Sequence, residues 1–219
     1  MPKTATQDKN GSKATIAVEV FEPIVLRRLE KRVAMVPIVG VTPVIPHRWS
    51  EKAKKMMLDK QQGKASEKKA PKDPEAEAKA ATYWCADGRP GIQAVGFKAA
   101  IADAARFFDK SVTIEMLKRA IHIFGEVTAE GDVVVPITGE ITMREDMART
   151  STGVANLTYR NQVWPWSAEL HVEYIASLLT EETLVTLIDA AGANGVGDWR
   201  PSSPKSKSGT FGKFQVSEA

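Results

Sequence analysis

The sequence predicts an α+β fold in which two main helices cover an antiparallel sheet. Segments rich in β-branched residues recur along the chain, and two longer segments, Ile92–Phe108 and Glu181–Ala191, have apolar residues at helical spacing. The chain has 219 residues, of which 43% are hydrophobic, and this is enough for a buried core. We therefore expect one ordered domain over residues 14–216.

The N-terminal part of the chain predicts strands separated by polar segments. Residues 1–13 are polar or small and predict a flexible tail. Strands are predicted at Ala14–Val20 and Val33–Ile45, and the prolines of the second favour an edge or broken strand. Ser50 is suited to cap a helix that continues to about Gln62. Residues 61–81 lack large apolar side chains, which predicts a mobile charged insertion.

The rest of the chain predicts the covered sheet. The first main helix, predicted at Ile92–Phe108, has small alanines that allow close packing on strands. The second main helix, Glu181–Ala191, is expected to start at the N-cap Thr180 and to stop at Gly192. The remaining predicted elements are a short helix at Ile114–Lys118 and strands at Ala120–Phe124, Val133–Ile137, Gly139–Arg144 and Ala168–Tyr174.

Composition and motifs exclude several classes of site. The single cysteine, Cys85, excludes an internal disulfide and a multi-cysteine zinc site. His47, His122 and His171 are far apart and form no metalloprotease motif, and no phosphate-binding P-loop or dinucleotide fingerprint is present. We expect no cofactor and no metal. Without a secretory signal or membrane segment, a cytoplasmic protein is expected, and the net charge of +3 weakly favours a polyanionic partner.

The C-terminal segments Gly192–Pro201 and Gly209–Val216 are dense in glycine. Because glycine lacks a Cβ atom, such a loop allows backbone amides to approach a ligand closely. Aromatic faces mixed with positive charge are typical of sites for single-stranded nucleic acid. The alternative is a helix cap, a loop and a terminal hairpin without a ligand. The candidate binding residues here are Gly195, Gly197, Trp199, Arg200, Gly212 and Lys213.

Further candidates lie outside this loop. Gln93 and Lys98 flank the start of a predicted helix, whose positive dipole end favours a phosphate. Arg144, Arg149 and Arg160 carry the planar guanidinium that suits phosphate. The alternative is that these arginines form ordinary surface ion pairs with acidic neighbours such as Asp146 or Asp198.

Three landmarks together resemble the RAMP superfamily, the RNA-binding backbone subunits of CRISPR effector complexes. Ile38–Val44 is similar to its strand ending in G-x-T-P-L, and Gly91–Arg106 to its helix start, with Ala94 and Val95 in place of serines. Gly195–Val216 resembles its glycine-rich C-terminal loop. The resemblance implies a modified ferredoxin-like (RRM-like) core that binds RNA backbone and polymerises along it. Residues 146–164 also resemble uncharacterised tailed-phage proteins.

Three functional hypotheses follow. The first is a non-catalytic protein that binds the backbone of single-stranded nucleic acid, RNA favoured, and assembles along it as a homo-oligomer or filament without a membrane partner. The second is a phage structural or assembly protein that contacts only protein. The third is a metal-independent endoribonuclease, for which His47 is the best general acid or base because it lies in a predicted loop beside Arg48.

Overall fold

A computed structural model describes residues 25–49, 51–64, 71–149, 155–204 and 209–217, without the side chains of 52, 53, 148 and 149. The predicted tail and the predicted strand Ala14–Val20 lie outside the described residues. Within them the chain is α+β, with two antiparallel sheets and five α-helices. The fold class predicted from the sequence is therefore confirmed in outline.

The described residues form five α-helices and nine β-strands. The helices are α1 (Glu51–Gln61), α2 (Pro74–Ala80), α3 (Ala94–Ala104), α4 (Ile114–Ala120) and α5 (Glu181–Asn194), and a 3-10 turn, Ala105–Phe107, follows α3. The strands are β1 (Lys31–Gly40), β2 (Tyr83–Trp84), β3 (Pro90–Gln93), β4 (Ile121–Ile123), β5 (Glu126–Val127), β6 (Val133–Pro136), β7 (Thr138–Arg149), β8 (Ala155–Ile175) and β9 (Phe214–Val216). No described helix combines the length and apolarity needed to cross a bilayer.

The main sheet has the strand order β4-β8-β1-β9, and β7 pairs with the first part of β8. All neighbouring strands in it are antiparallel. Side chains alternate between the faces, so Val36 of β1 and Leu170 of β8 lie in the same buried cluster as Phe97 of α3 and Leu184 of α5. The two main helices predicted from the sequence therefore share one core with this sheet.

A second, smaller sheet has the order β2-β3-β6-β5. Its strand β3 runs directly into α3 and therefore fixes where that helix begins. Tyr83, Cys85 and Val134 form a small buried cluster of their own in this sheet.

Helix α5 shows why glycine at position 192 does not end it. The helix starts as predicted, with Thr180 Oγ1 accepting a hydrogen bond from the Thr183 amide at 3.1 Å. The predicted stop at Gly192 is wrong, because the helix continues to Asn194 and ends at Gly195, with φ of 68°. A Cβ at Gly192 would lie 1.7 Å from the Phe214 carbonyl oxygen. Close packing on β9, rather than a helix end, requires glycine there.

The segment 61–81, predicted as a mobile charged insertion, contains helix α2 at residues 74–80. Asp73 caps the helix by accepting the Ala76 amide at 3.1 Å. Ala78 is only 2% exposed, and its carbonyl accepts the Thr82 hydroxyl at 3.0 Å. A small alanine is thus enough to anchor the helix. Residues 65–70 lie outside the described residues, and the mobility of the segment stays a prediction.

Candidate nucleic-acid interface

A cleft of about 900 Å³ lies between helix α3, helix α4 and the loop that follows α5. It brings together the start of α3 and the glycine-rich loop, which the sequence predicted as two separate candidate binding regions. Its lining includes Gln93, Gly96, Arg106, Lys118, Gly197 and Arg200. Of these, Arg106 and Lys118 were missed by sequence reasoning, although Arg106 extends the row of α3 residues that faces the cleft.

The start of α3 is an open helix N-terminus. Gln93 occupies the N-cap position, yet no side chain caps the helix there, and the first turn contains no acidic residue. The backbone amides of that turn carry the positive end of the helix dipole. A Cβ at Gly96 would meet only the Ile92 Cγ2 atom, at 4.0 Å. A ligand in the cleft therefore has free access to this turn.

Gly212, in contrast, is enclosed by protein. Its φ is 69°, its amide donates to the Pro43 carbonyl at 2.8 Å, and its own carbonyl accepts the Val196 amide at 3.0 Å. A Cβ there would lie 1.8 Å from the Val196 carbonyl oxygen. The Gly212 amide is therefore used inside the protein, and the glycine allows two chain segments to touch.

Gly197 packs against the segment that follows β1. Its φ is 76°, and a Cβ there would lie 2.6 Å from the Ile45 carbonyl oxygen. The adjacent Asp198 amide donates to the same carbonyl at 2.9 Å. Gly195, with φ of 68°, has already served as the C-cap of α5. The loop is therefore a packed wall of the cleft, and Gly197, Asp198 and Arg200 are among the residues that line it.

Asp198 is the centre of an ion cluster on this wall. Its Oδ2 atom contacts Arg160 Nη1 and lies 3.2 Å from His47 Nδ1, and its Oδ1 accepts the Trp199 amide at 3.1 Å. Burial alone raises the pKa of Asp198, but the His47 hydrogen bond and the Arg160 charge outweigh it, so the pKa lies below its usual value. The charged carboxylate fixes His47 on the cleft wall.

Arg144 is held by a bidentate ion pair. Its Nε and Nη2 atoms each lie 2.6 Å from an oxygen of Asp146, and Nη1 donates to Gln162 at 3.0 Å. Its guanidinium carbon is 5.4 Å from the centre of the Trp199 ring and 4.6 Å from that of Phe211. These are cation–π distances.

Arg160 covers the same tryptophan, at 5.3 Å from the ring centre. Arg144, Arg160, Trp199 and Phe211 thus form an arginine–aromatic cluster between the β7–β8 hairpin and the glycine-rich loop. The pairing of Arg144 with Asp146 and of Arg160 with Asp198 is the alternative that the sequence left open. The side chain of Arg149 lies outside the described residues.

The predicted cations Arg200, Lys98 and Lys213, and Lys118 in the cleft, differ in how firmly their side chains are held. Arg200 is fixed on the wall, since Nη1 donates to the Gly197 carbonyl at 2.9 Å and Nε to Ser202 Oγ at 3.1 Å. Lys98 and Lys213 are half-buried, and Lys118 is exposed in the cleft. Within the described part of the chain, none of these three lysines has an ion pair. Their charges are available to an anion.

The open face of the main sheet has a different chemistry. Its residues on β1 and β8 include Val33, Met35, Glu169, His171 and Glu173, and the first two are well exposed. Among the paired residues of these two strands, His171 is the one aromatic ring on this face, whereas RNA-binding sheets of the RRM type stack bases on several aromatic side chains. Glu169 and Glu173 lie on the same face, and their carboxylates would repel a polyanion. The cleft, whose lining includes Arg106, Lys118 and Arg200, therefore fits a nucleic acid better than this face does.

Cys85, Asp87 and Glu126 form a possible ligand group in the second sheet, with their ligand atoms within 4.8 Å of one another. Burial, together with the charge of Glu126, raises the pKa of the Cys85 thiol to about 11. Arg89 lies 2.6 Å from Asp87 and 3.6 Å from Glu126. A metal ion would have to displace the Arg89 guanidinium from both carboxylates and the proton from the thiol.

No protein-family model and no curated protein sequence matches this chain. In fold it is similar to a chain in the cryo-EM structure of the Type III-B Cmr-beta bound to cognate target RNA, with a TM-score of 0.50 and 9% identity. This match covers 86% of the present chain and 59% of that chain. Cmr6 from Pyrococcus furiosus matches with a TM-score of 0.39 and 9% identity, over 87% of the present chain and 100% of Cmr6. The first likeness shows a shared fold and concerns the fold alone.

Proposed function

We propose that this protein binds single-stranded RNA through its phosphate backbone, in the cleft between α3 and the glycine-rich loop. The observation that carries the proposal is the uncapped start of α3, where Gly96 leaves open space above the first-turn amides. A helix N-terminus of this kind is a site for phosphate. Arg200 and Lys118 line the same cleft and add positive charge.

The choice of RNA draws on the structural likeness. The Cmr-beta chain with the same fold belongs to a complex that is bound to target RNA. The apolar lining of the cleft comes mainly from alanine, valine and isoleucine, and its aromatic side chains are Tyr83 and His47. We therefore infer that phosphate contacts dominate the affinity, as in proteins that bind nucleic acid without regard to sequence.

We also infer that the core is a modified ferredoxin-like fold. Along the chain, β1, α3, β4, β8, α5 and β9 follow the β-α-β-β-α-β order of that motif. The sheet order β4-β8-β1-β9, with antiparallel neighbours and both helices in one core, supports this assignment. The hairpin β7–β8 and the second sheet are additions to it.

Self-association along the strand is part of the proposal. Beyond the arginine–aromatic cluster, the β7–β8 hairpin exposes Met143, Met147 and Leu157, and exposed apolar groups favour contacts between proteins. Sedimentation velocity with RNA strands of increasing length tests this. We expect complexes that grow by one copy for each fixed increment of strand length. Growth without RNA would favour the protein-only assembly hypothesis.

Binding itself is tested by titrating a fluorescein-labelled 20-nucleotide RNA of mixed sequence at several salt concentrations. Counterion release predicts that log affinity falls with log salt, at about −0.7 per phosphate contacted. The same titration with duplex RNA and with single-stranded DNA establishes the preferred strand. Absence of binding at low salt would remove the proposal.

A second candidate function is metal-independent cleavage of RNA, and the His47–Asp198 pair favours it. With Nδ1 3.2 Å from Asp198, His47 has its Nε2 atom available in the cleft. As general base it would take the proton of a ribose 2′-hydroxyl, whose oxygen attacks phosphorus. The 5′-oxygen leaves with a proton from water, and a 2′,3′-cyclic phosphate remains.

Cleavage is tested with an end-labelled RNA in the presence of a chelator. The control strand carries one 2′-deoxynucleotide at the mapped position and must stay intact there. His47→Ala should abolish the cyclic-phosphate product while leaving binding within about twofold. An RNA that stays intact over a day with the parent protein would dismiss this candidate.

A further inference from the structure

Two adjacent phenylalanines at the end of α3 are exposed to solvent. Phe107, in the 3-10 turn, is 58% exposed, and Phe108, which follows that turn with an extended backbone, is 42% exposed. Phenylalanine is among the side chains that gain most from burial. Neither ring belongs to either of the buried clusters of the described residues. The core therefore does not account for this pair.

The position of the pair relates it to the cleft. Val95, Ala99 and Asp103 line the cleft at intervals of four residues, and Arg106 is the last residue of this helical row to do so. Phe107 continues the spacing of the row. With a rise of 1.5 Å per residue, the pair lies about 16 Å along the helix from the open turn at Gly96. A strand that starts at Gly96 and follows α3 would reach the two rings.

The surrounding charge favours a polyanion over an apolar peptide. Between Lys98 and Arg119 the sequence contains five basic and three acidic residues. The acids are engaged locally, since Asp103 pairs with Arg106, Glu115 with Arg119, and Asp109 accepts bonds from Ser111. Lys110 and Lys118 have no ion pair among the described residues.

We propose that Phe107 and Phe108 form a stacking platform for unpaired bases of the strand whose backbone lies in the cleft. The inference rests on the proposed function and deepens it, because it makes the ligand a strand with accessible bases. Aromatic rings stack on any base, so the platform adds affinity without sequence preference. Duplex RNA, whose bases are already stacked and paired, gains nothing from it.

The experiment compares two 20-nucleotide ligands, a mixed-sequence single-stranded RNA and an abasic strand of the same length and charge. The variant is the double substitution Phe107→Ala with Phe108→Ala. The control is Phe124→Ala, which removes a phenylalanine of similar exposure that lines a different cavity. We expect the double variant to bind the RNA about tenfold more weakly and the abasic strand as the parent does. Phe124→Ala should bind both strands as the parent does.

The pattern of losses separates the two proposals. If the double variant lost affinity equally for the RNA and for the abasic strand, or lost none for either, the stacking platform would be wrong. Failure of the parent protein to bind either strand at low salt would instead overturn the proposed function. Replacement by leucine at both positions keeps apolar volume without an aromatic face, so it guards against an effect of stability. If the leucine variant binds the RNA as the parent does, stacking is excluded. Lost self-association with unchanged affinity would make the pair a contact between copies, and the platform would again be wrong.

Discussion

The two walls of the cleft both contain glycine, but the surroundings of the glycines differ. On the loop wall, the Cβ position of Gly197 is 2.6 Å from the carbonyl oxygen of Ile45. On the helix wall, the Cβ position of Gly96 is 4.0 Å from its nearest neighbour, a methyl group of Ile92. On the loop wall, neighbouring backbone atoms leave no room for a side chain larger than glycine. On the helix wall, glycine leaves room for a ligand.

This difference shows that density of glycine is a poor guide to a binding site. The glycine-rich loop is the more conspicuous sequence feature, yet its backbone is committed to Pro43 and Ile45. The single glycine in the first turn of α3 is less conspicuous and more accessible. Substitutions on the two walls should therefore separate stability from binding.

The largest expected effect is that of Gly212→Ala. Because the new methyl group would overlap the Val196 carbonyl, we expect a loss of at least about 4 kcal/mol in the free energy of unfolding, or failure to fold. Gly88→Ala is the matched control, since Gly88 also has a positive φ, 84°, with nothing near its Cβ position. Backbone strain alone predicts about 1–3 kcal/mol there. Urea denaturation followed by circular dichroism measures both, and equal losses would refute the packing role of Gly212.

Asp198→Asn should have the next largest effect, because it leaves Arg160 and His47 without their carboxylate. We expect a loss of about 1–3 kcal/mol at pH 7. The lowered pKa of Asp198 means that the charged form stabilises the folded state. That contribution is complete above the unfolded pKa of about 3.9 and is lost as the pH falls through the lower folded value.

The stability of the Asp198→Asn variant should therefore approach that of the parent in acid. Urea denaturation at pH 7 and near pH 3 measures this convergence. Glu140→Gln is the control, because Glu140 on β7 is exposed and forms no ion pair among the described residues. A difference between parent and Asp198→Asn that stayed constant with pH would contradict the ion cluster.

Lys118→Ala is expected to act on affinity alone. Removal of one phosphate contact should weaken RNA binding about three- to tenfold at low salt and reduce the salt slope by about 0.7. Lys79→Ala, on helix α2 away from the cleft, removes the same charge as a control. Lys213→Ala compares the two walls directly. A larger effect at Lys213 than at Lys118 would indicate that the strand crosses the glycine-rich loop rather than following α3.

The smallest effect on RNA affinity is expected for Gly96→Ala. Alanine within a helix is favoured over glycine by about 0.5–1 kcal/mol, and the site has space for the methyl group. The variant should therefore melt slightly higher than the parent while binding RNA up to about fivefold more weakly, because the methyl group limits access to the first-turn amides. Thermal melts and the RNA titration on one preparation measure both. Unchanged affinity would place the phosphate elsewhere in the cleft.

Local patterns predicted the helices well where apolar spacing and caps agreed. Helix α5 starts at Thr180 as expected, and α3 and α4 lie within or close to their predicted ranges. The strands β7 and β8 are much longer than predicted. The sequence did not reveal their paired outer halves because these are polar, with Arg144 opposite Arg160 and Thr142 opposite Gln162. Hydrophobic alternation cannot reveal a strand whose two faces are both partly exposed.

The candidate site was predictable only in its parts. The start of α3, Gly197 and Arg200 were each named from residue type, and they do meet at one cleft. Their partners could not be predicted, because His47 and Asp198 are joined only by the packing of the glycine-rich loop on the segment after β1. Likewise, nothing local indicates that Trp199 lies under two arginines.

The pairing of β1 has a consequence for the kinetics of folding. Lys31 on this strand bonds to Glu173 on β8, 142 residues away, and the Lys213 amide beside β9 bonds to the Thr42 side chain, 171 residues away. To form contacts of such high sequence separation, the chain must first lose the entropy of closing long loops, before the contacts contribute any stabilising free energy. Proteins dominated by such contacts fold in milliseconds to seconds. During synthesis, β1 must wait for almost the whole chain, and its apolar side chains stay exposed to chaperones or to other nascent chains until β8 emerges.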